Sequence, residues 1–363
     1  MLFTVRNLKT FKNYNLKIIM KTNQIILLIS FLFLVSCNKK YEVKNDDVAP
    51  SENAPADTLA IKEKSPKKES INLFTLTPKQ GGDIAFLSLS DLYPAATNDT
   101  LSLPQIEKMD KKTALYFTFD KNYRTRFLSK IEISETDSLF VYDYAKDKLA
   151  SFLIKNLKTS AMLNGDASTK NWPYQSTDYR IGFEVNTKNL KGFSQDYKNA
   201  LVYVGKENPF VEKQMMPIVW KKITAKEYPD EKLKKEYKKV ITNALTGSSY
   251  FFETKTYQYF LQEYTNSNKI IYARRLIVTD VKTPQNETNE IIIDKLFYQK
   301  EGISLSPLNY SEGKNVNQWT GKLFKNKPAV VFGFENASFG CPVISIIDKS
   351  NEEIYLQCDN RRK

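Results

Sequence analysis

The sequence contains no histidine at all among its 363 residues. That absence excludes Ser-His-Asp and Cys-His catalysis and every histidine-ligated metal centre. Only three cysteines are present, Cys37, Cys341 and Cys358, with no Cys-x-x-Cys spacing that would hold zinc. No Walker loop, dinucleotide glycine fingerprint or EF-hand loop occurs either, so no cofactor or metal is expected. No apolar run reaches the roughly 20 residues that a membrane-spanning helix needs. No repeat period stands out that would mark a propeller or solenoid. An enzyme built without histidine would rely on carboxylates, as a glycoside hydrolase does with two of them about 5–10 Å apart. The sequence does not single out a pair among its 41 acidic residues.

The most informative stretch runs from Ile25 to Cys37, Ile-Ile-Leu-Leu-Ile-Ser-Phe-Leu-Phe-Leu-Val-Ser-Cys, with Met20-Lys21 before it and Asn38-Lys39-Lys40 after it. A cationic start, a short apolar core and a small residue before cysteine is the pattern of a secretion leader. Leu34-Val35-Ser36-Cys37 resembles the lipobox of bacterial lipoproteins. The resemblance implies cleavage before Cys37, a diacylglycerol on its sulfur, and a lipid-anchored place in the cell envelope, with the outer membrane expected. Met20-Lys21 is the more usual start of such a leader, which implies that residues 1–19 are not translated; a long basic n-region is the alternative. The lysines that follow Cys37 depart from the acidic run carried by some surface-exposed lipoproteins, so the orientation stays open.

Formal net charge is +13. Residues 1–36 hold five basic residues and no acids, so the mature chain carries +8. Its lysines alternate with acids, the pattern of a solvated surface. The densest basic region, Lys221-Lys222 and Lys232 to Lys239, lacks the interleaved aromatics and motifs of a nucleic-acid reader. No nucleic-acid partner is expected in an envelope protein.

Residues 37–70 read as a lipidated flexible tether, rich in Lys, Glu, Asp, Ser and Pro and poor in apolar residues. Asp57-Thr58-Leu59 resembles the Asp-Ser/Thr-apolar sites of envelope O-glycosylation, which makes Thr58 a candidate glycan acceptor. From Ile71 onward the chain is dense in Phe and Tyr, and short apolar runs recur between turn signals. The expectation is a mainly β fold, sandwich- or propeller-like, with many short antiparallel strands. Expected strands include Thr113–Phe119, Phe127–Ser134 and Ser138–Tyr144, the last joined by a hairpin at 145–148 to Leu149–Lys155. One amphipathic helix is expected over Asp230–Leu245, where Leu233, Tyr237, Val240, Ile241, Ala244 and Leu245 share a stripe. It suggests two β-rich regions, 71–223 and 224–363; a single domain over 71–363 is the alternative.

Two further sites are expected. Trp172 and Tyr174 lie in a polar, proline-containing stretch and are candidates for ligand contact through their ring faces. Cys341 and Cys358 are an even pair in an oxidising compartment and flank a strand–turn–strand pattern. A four-residue loop at 348–351 would set Val343 opposite Leu356 and Cys341 directly opposite Cys358, close enough for a disulfide. Together these readings point to a lipid-anchored envelope protein that binds a glycan or a protein partner. The alternatives are a lipid-anchored hydrolase with paired carboxylates and a structural component of an envelope complex.

Overall fold

Short runs of β-branched and aromatic residues recur between turns after Ile71, and they build sheets rather than helices. The computed structural model describes residues 71–79, 81–93, 103–165, 167, 170, 172–281, 290–310, 316–338 and 340–359. Cys37 and Thr58 fall outside the described residues. Residues 67–363 form one compact unit. In chain order the first strands are β1 (Leu73–Phe74), β2 (Leu76–Pro78), β3 (Ile84–Ser88), β4 (Tyr116–Thr118), β5 (Ser138–Asp143), β6 (Lys148–Leu153) and β7 (Thr159–Leu163). They are followed by β8 (Tyr179–Asn186), β9 (Ala200–Gly205), β10 (Met215–Pro217), β11 (Lys221–Ile223), β12 (Leu245–Glu253), β13 (Tyr257–Thr265) and β14 (Ile271–Asp280). The last are β15 (Ile291–Tyr298), β16 (Ile303–Leu305), β17 (Trp319–Gly321), β18 (Val330–Phe332), β19 (Glu335–Ala337), β20 (Val343–Ile346) and β21 (Glu353–Gln357).

A nine-stranded sheet in the order β10-β17-β18-β20-β21-β1-β9-β5-β6 draws on strands from both sides of residue 223. Its pairs are antiparallel except β1 with β21. Two five-stranded antiparallel sheets, β2-β3-β8-β7-β4 and β11-β12-β13-β14-β15, accompany it. One core fills the space between the first of these and β5–β9, with Phe127, Phe183, Val141 and Val202 at its centre. A second core lies between β12–β15 and the nine-stranded sheet, built on Tyr259, Leu261, Leu276, Val331 and Ile347. The protein is therefore mainly β, as its aromatic and β-branched composition predicts.

Two helices occur among the described α-helical segments, α1 (Lys121–Lys130) and α2 (Lys235–Val240). The first corrects the strand expected over Phe127–Ser134. Asp120 caps the helix, accepting from Asn122 N and Tyr123 N at 2.9 and 3.0 Å. Tyr123 and Phe127, four residues apart, then face the same core. Arg124 fixes the helix to the sheet through Leu157 O and Glu135. The second helix occupies only part of the expected span 230–245. Arg275 donates to Glu231 O at 2.9 Å, which takes a carbonyl that an early start would use. Asn243 has φ 61°, and Leu245 already pairs with Thr265 in β12–β13.

The hairpin β20–β21 forms, but one residue out of the expected register. Val343 faces Tyr355 and Ile344 faces Ile354. Ile346 N donates to Glu352 O, so the loop is 347–351, closed by Asn351 at φ 54°. Ile347 leaves the hairpin to donate to Ala329 O at 2.7 Å. Cys341 and Cys358 are nevertheless joined as a disulfide with a Cα–Cα distance of 5.6 Å. The bridge is diagonal across the end of the ladder, within the roughly 4.4–6.8 Å that a disulfide accepts.

Candidate functional site

The alternation that buries β15 also sets its polar side chains. Ile293, Lys295 and Phe297 face the nine-stranded sheet, whereas Asp294 and Leu296 face the opposite side toward α2. On β20 the same rule points Ile344 and Ile346 into one core and leaves Val343 and Ser345 on the face that meets Lys295. Where the two sheets part, a cavity of about 220 Å³ remains.

Rings from three places shape it: Tyr144 just after β5, Phe297 on β15, and Phe332 and Phe334 around the end of β18. Tyr144 meets Phe332 edge to face at 5.2 Å, and Phe297 stacks on Phe334 at 4.7 Å. Phe332 and Tyr144 are half-buried, so part of each ring faces the cavity. Gly333 between the two phenylalanines has φ 89°, and a Cβ there would lie 1.9 Å from Asn317 O. Only glycine fits so close an approach. Its carbonyl accepts from Ser306 Oγ at 2.5 Å and Gln318 Nε2 at 3.1 Å, which locks the turn that holds both rings.

Lys295 and Ser345 line the cavity, and they belong to a connected polar set that continues outside its lining to Glu353 and Tyr355. Lys295 Nζ donates to Ser345 Oγ at 3.0 Å and pairs with Glu353, and it stands 5.2 Å over the Phe297 ring. Tyr355 OH donates to Glu353 Oε2 at 2.8 Å. Burial would raise the Glu353 carboxyl, but the Lys295 hydrogen bond and charge outweigh it and hold it below the usual carboxylate range. Glu335 is displaced the other way. Burial pushes its carboxyl up, against the opposing charges of Lys300 and Lys295. Two carboxyl groups of one region thus hold their protons with different strength. Ser345 lacks a base, because Lys295, held by Glu353, is a donor. The wall offers hydroxyl-binding groups, Glu335, Asn317 and Ser345, beside ring faces.

Cys341 also lines this cavity, so the disulfide expected from sequence fastens its wall. The other expected ligand site is not brought to it. Trp172 is 37% exposed, whereas Tyr174 is 4% exposed and belongs to the core. The rings meet edge to face at 5.2 Å, so Tyr174 supports the indole from below and presents no face to a ligand. Sequence reasoning missed Lys295, Glu335, Ser345 and Glu353. The available signal was a charged pair, Asp294-Lys295, in the middle of the apolar run Ile291 to Tyr298.

The remaining recesses are more open. One of about 600 Å³ lies beside β6, and one of about 1000 Å³ lies between β10–β17 and the tip of the β12–β13 hairpin. Among the described residues no group of three or more Cys, Asp or Glu could hold a metal ion. No protein-family model, curated protein or solved structure matches the chain significantly.

Proposed function

We propose that the chain is a lipid-anchored cell-envelope protein, attached to the outer membrane through Cys37, whose β-rich domain binds a glycan in the cavity between Tyr144, Phe332 and Lys295. The leader and the lipobox-like Leu34-Val35-Ser36-Cys37 support the anchoring. The cavity carries the binding reading. It sets partly exposed aromatic faces beside Glu335, Asn317 and Ser345, which suits a sugar ring with its apolar faces and hydroxyl edge. Its 220 Å³ is below the roughly 300–1,000 Å³ of drug-sized sites. It therefore admits one sugar unit, with the rest of a chain outside. Full-length protein in detergent, applied to an array of bacterial envelope glycans, tests the reading. Binding to a defined subset supports it, and uniform failure to bind removes it.

A further inference from the structure

Among the described residues, strand β6 is the last strand of the nine-stranded sheet and pairs on one side only, with β5. Ile154 N donates to Asp137 O at 2.9 Å, which fixes the phase of the ladder. Lys148, Ala150 and Phe152 turn their backbone groups toward β5, and Leu149, Ser151 and Leu153 turn theirs outward. Among the described residues, the outward N–H groups of Leu149, Ser151 and Leu153 and the C=O groups of Leu149 and Ser151 have no hydrogen-bond partner, whereas Leu153 caps the short 3-10 turn Ile154–Asn156 and its carbonyl takes the first bond of that turn. Exposed edges are ordinarily blunted by proline, a bulge or inward charges. This one reads Lys-Leu-Ala-Ser-Phe-Leu, pairs with β5 in unbroken register over its whole length, and carries a single charge at its start. Leu153 is 42% exposed.

The same edge forms one wall of the groove of about 600 Å³. Ile84 at the start of β3 and Asn186 at the end of β8 stand in the facing wall. We propose that β6 is the docking edge for an extended peptide segment of a partner protein, which adds to the sheet as a tenth strand and sets alternate side chains into this groove. Six residues of strand span about 20 Å, the length over which such a segment is held. Main-chain hydrogen bonds supply affinity in this mode and the groove supplies selectivity. Asp83 and Glu184 outnumber Lys158 in the groove, so the segment is neutral or weakly basic.

The test uses the full chain, a library of random short peptides displayed on phage, and two variants. Ser151 is exposed, so Ser151→Ala keeps the outward N–H and Ser151→Pro removes it at an edge position that tolerates proline. Peptides selected on the wild type are expected to bind Ser151→Ala unchanged and Ser151→Pro at least about tenfold more weakly. Hydrogen exchange at Leu149, Ser151 and Leu153 of the wild type is expected to slow when peptide binds, a readout that stands even if the proline variant does not fold. Equal binding to both variants, no change in exchange at these amides, or failure to select any peptide overturns the proposal. So does a wild-type dimer that dissociates in Ser151→Pro, which would assign the edge to a second copy instead.

Discussion

Lys295 Nζ lies 3.0 Å from Ser345 Oγ and thereby joins the five-stranded sheet to the nine-stranded sheet beside the aromatic cavity. The same ammonium neutralises Glu353, whose side chain is 27% exposed. Lys295→Met keeps the stem that packs over Phe297 but leaves the half-buried carboxylate without its cation. The variant is expected to lose about 1–3 kcal/mol in urea unfolding at pH 7. A loss below about 0.5 kcal/mol would show that solvent, not Lys295, satisfies Glu353.

Glu335 and Glu353 make opposite contributions to stability as pH changes. Glu353 has a lowered folded-state proton affinity, so its contribution is present above the unfolded carboxyl range and is lost as pH falls through the folded value. Glu335 has a raised one, so its contribution is present below the unfolded range and is lost as pH rises through the folded value. Glu335→Gln removes the second effect alone. The variant should gain stability relative to wild type as pH rises from the unfolded carboxyl range toward neutrality, measured by paired urea titrations. A constant difference across that window would contradict the burial of Glu335.

On the far side of the five-stranded sheet, Arg275 clasps Asp294 with two hydrogen bonds, 2.8 and 3.0 Å long, while 2% exposed. Arg275→Leu leaves the largely enclosed Asp294 carboxylate, among the described residues, with Lys234 at 3.8 Å as its remaining cation and frees the Glu231 and Lys232 carbonyls. The expected cost is about 3–5 kcal/mol. Double substitution with Asp294→Leu should recover part of it, because the unpaired charge is then gone.

The Cys341–Cys358 bridge closes a loop with a sequence separation of 17. Non-reducing peptide mapping should recover both cysteines in one linked pair. Replacing both with serine should cost about 3 kcal/mol and loosen the cavity wall that Cys341 lines. Free thiols at both positions in protein taken from the envelope would contradict the pairing.

Much of the fold was legible because apolar runs rich in β-branched and aromatic residues between turn signals favour strands. Ser138–Asp143 ends one residue before its expected limit, and its hairpin partner Lys148–Leu153 begins one residue and ends two residues before its own. The misses arose where short-range chemistry competes with composition. Phe127 and Leu128 look strand-like, yet they fall in a helix that Asp120 caps at its start and Ile131 ends. Helix α2 stops short of its amphipathic stripe because a buried arginine claims its leading carbonyls. The one-residue slip in β20–β21 came from Ile347, whose backbone pairs with Ala329 rather than within the hairpin. The cavity was illegible for a different reason. Its groups come from Tyr144, Lys295, Phe332 and Ser345, which lie far apart in the chain and meet only through sheet order.

In the proposed binding mode the ring of Phe332 carries the glycan contact in this cavity. The most direct measurement is titration calorimetry of full-length wild type and Phe332→Ala against a glycan that the array selects. Phe332 is half-buried at the end of its strand, so its truncation leaves the cores standing, which circular dichroism checks. The account predicts at least about tenfold weaker binding, roughly 1.4 kcal/mol, for Phe332→Ala with the fold intact. Unchanged affinity in a folded variant would place the glycan elsewhere and contradict it.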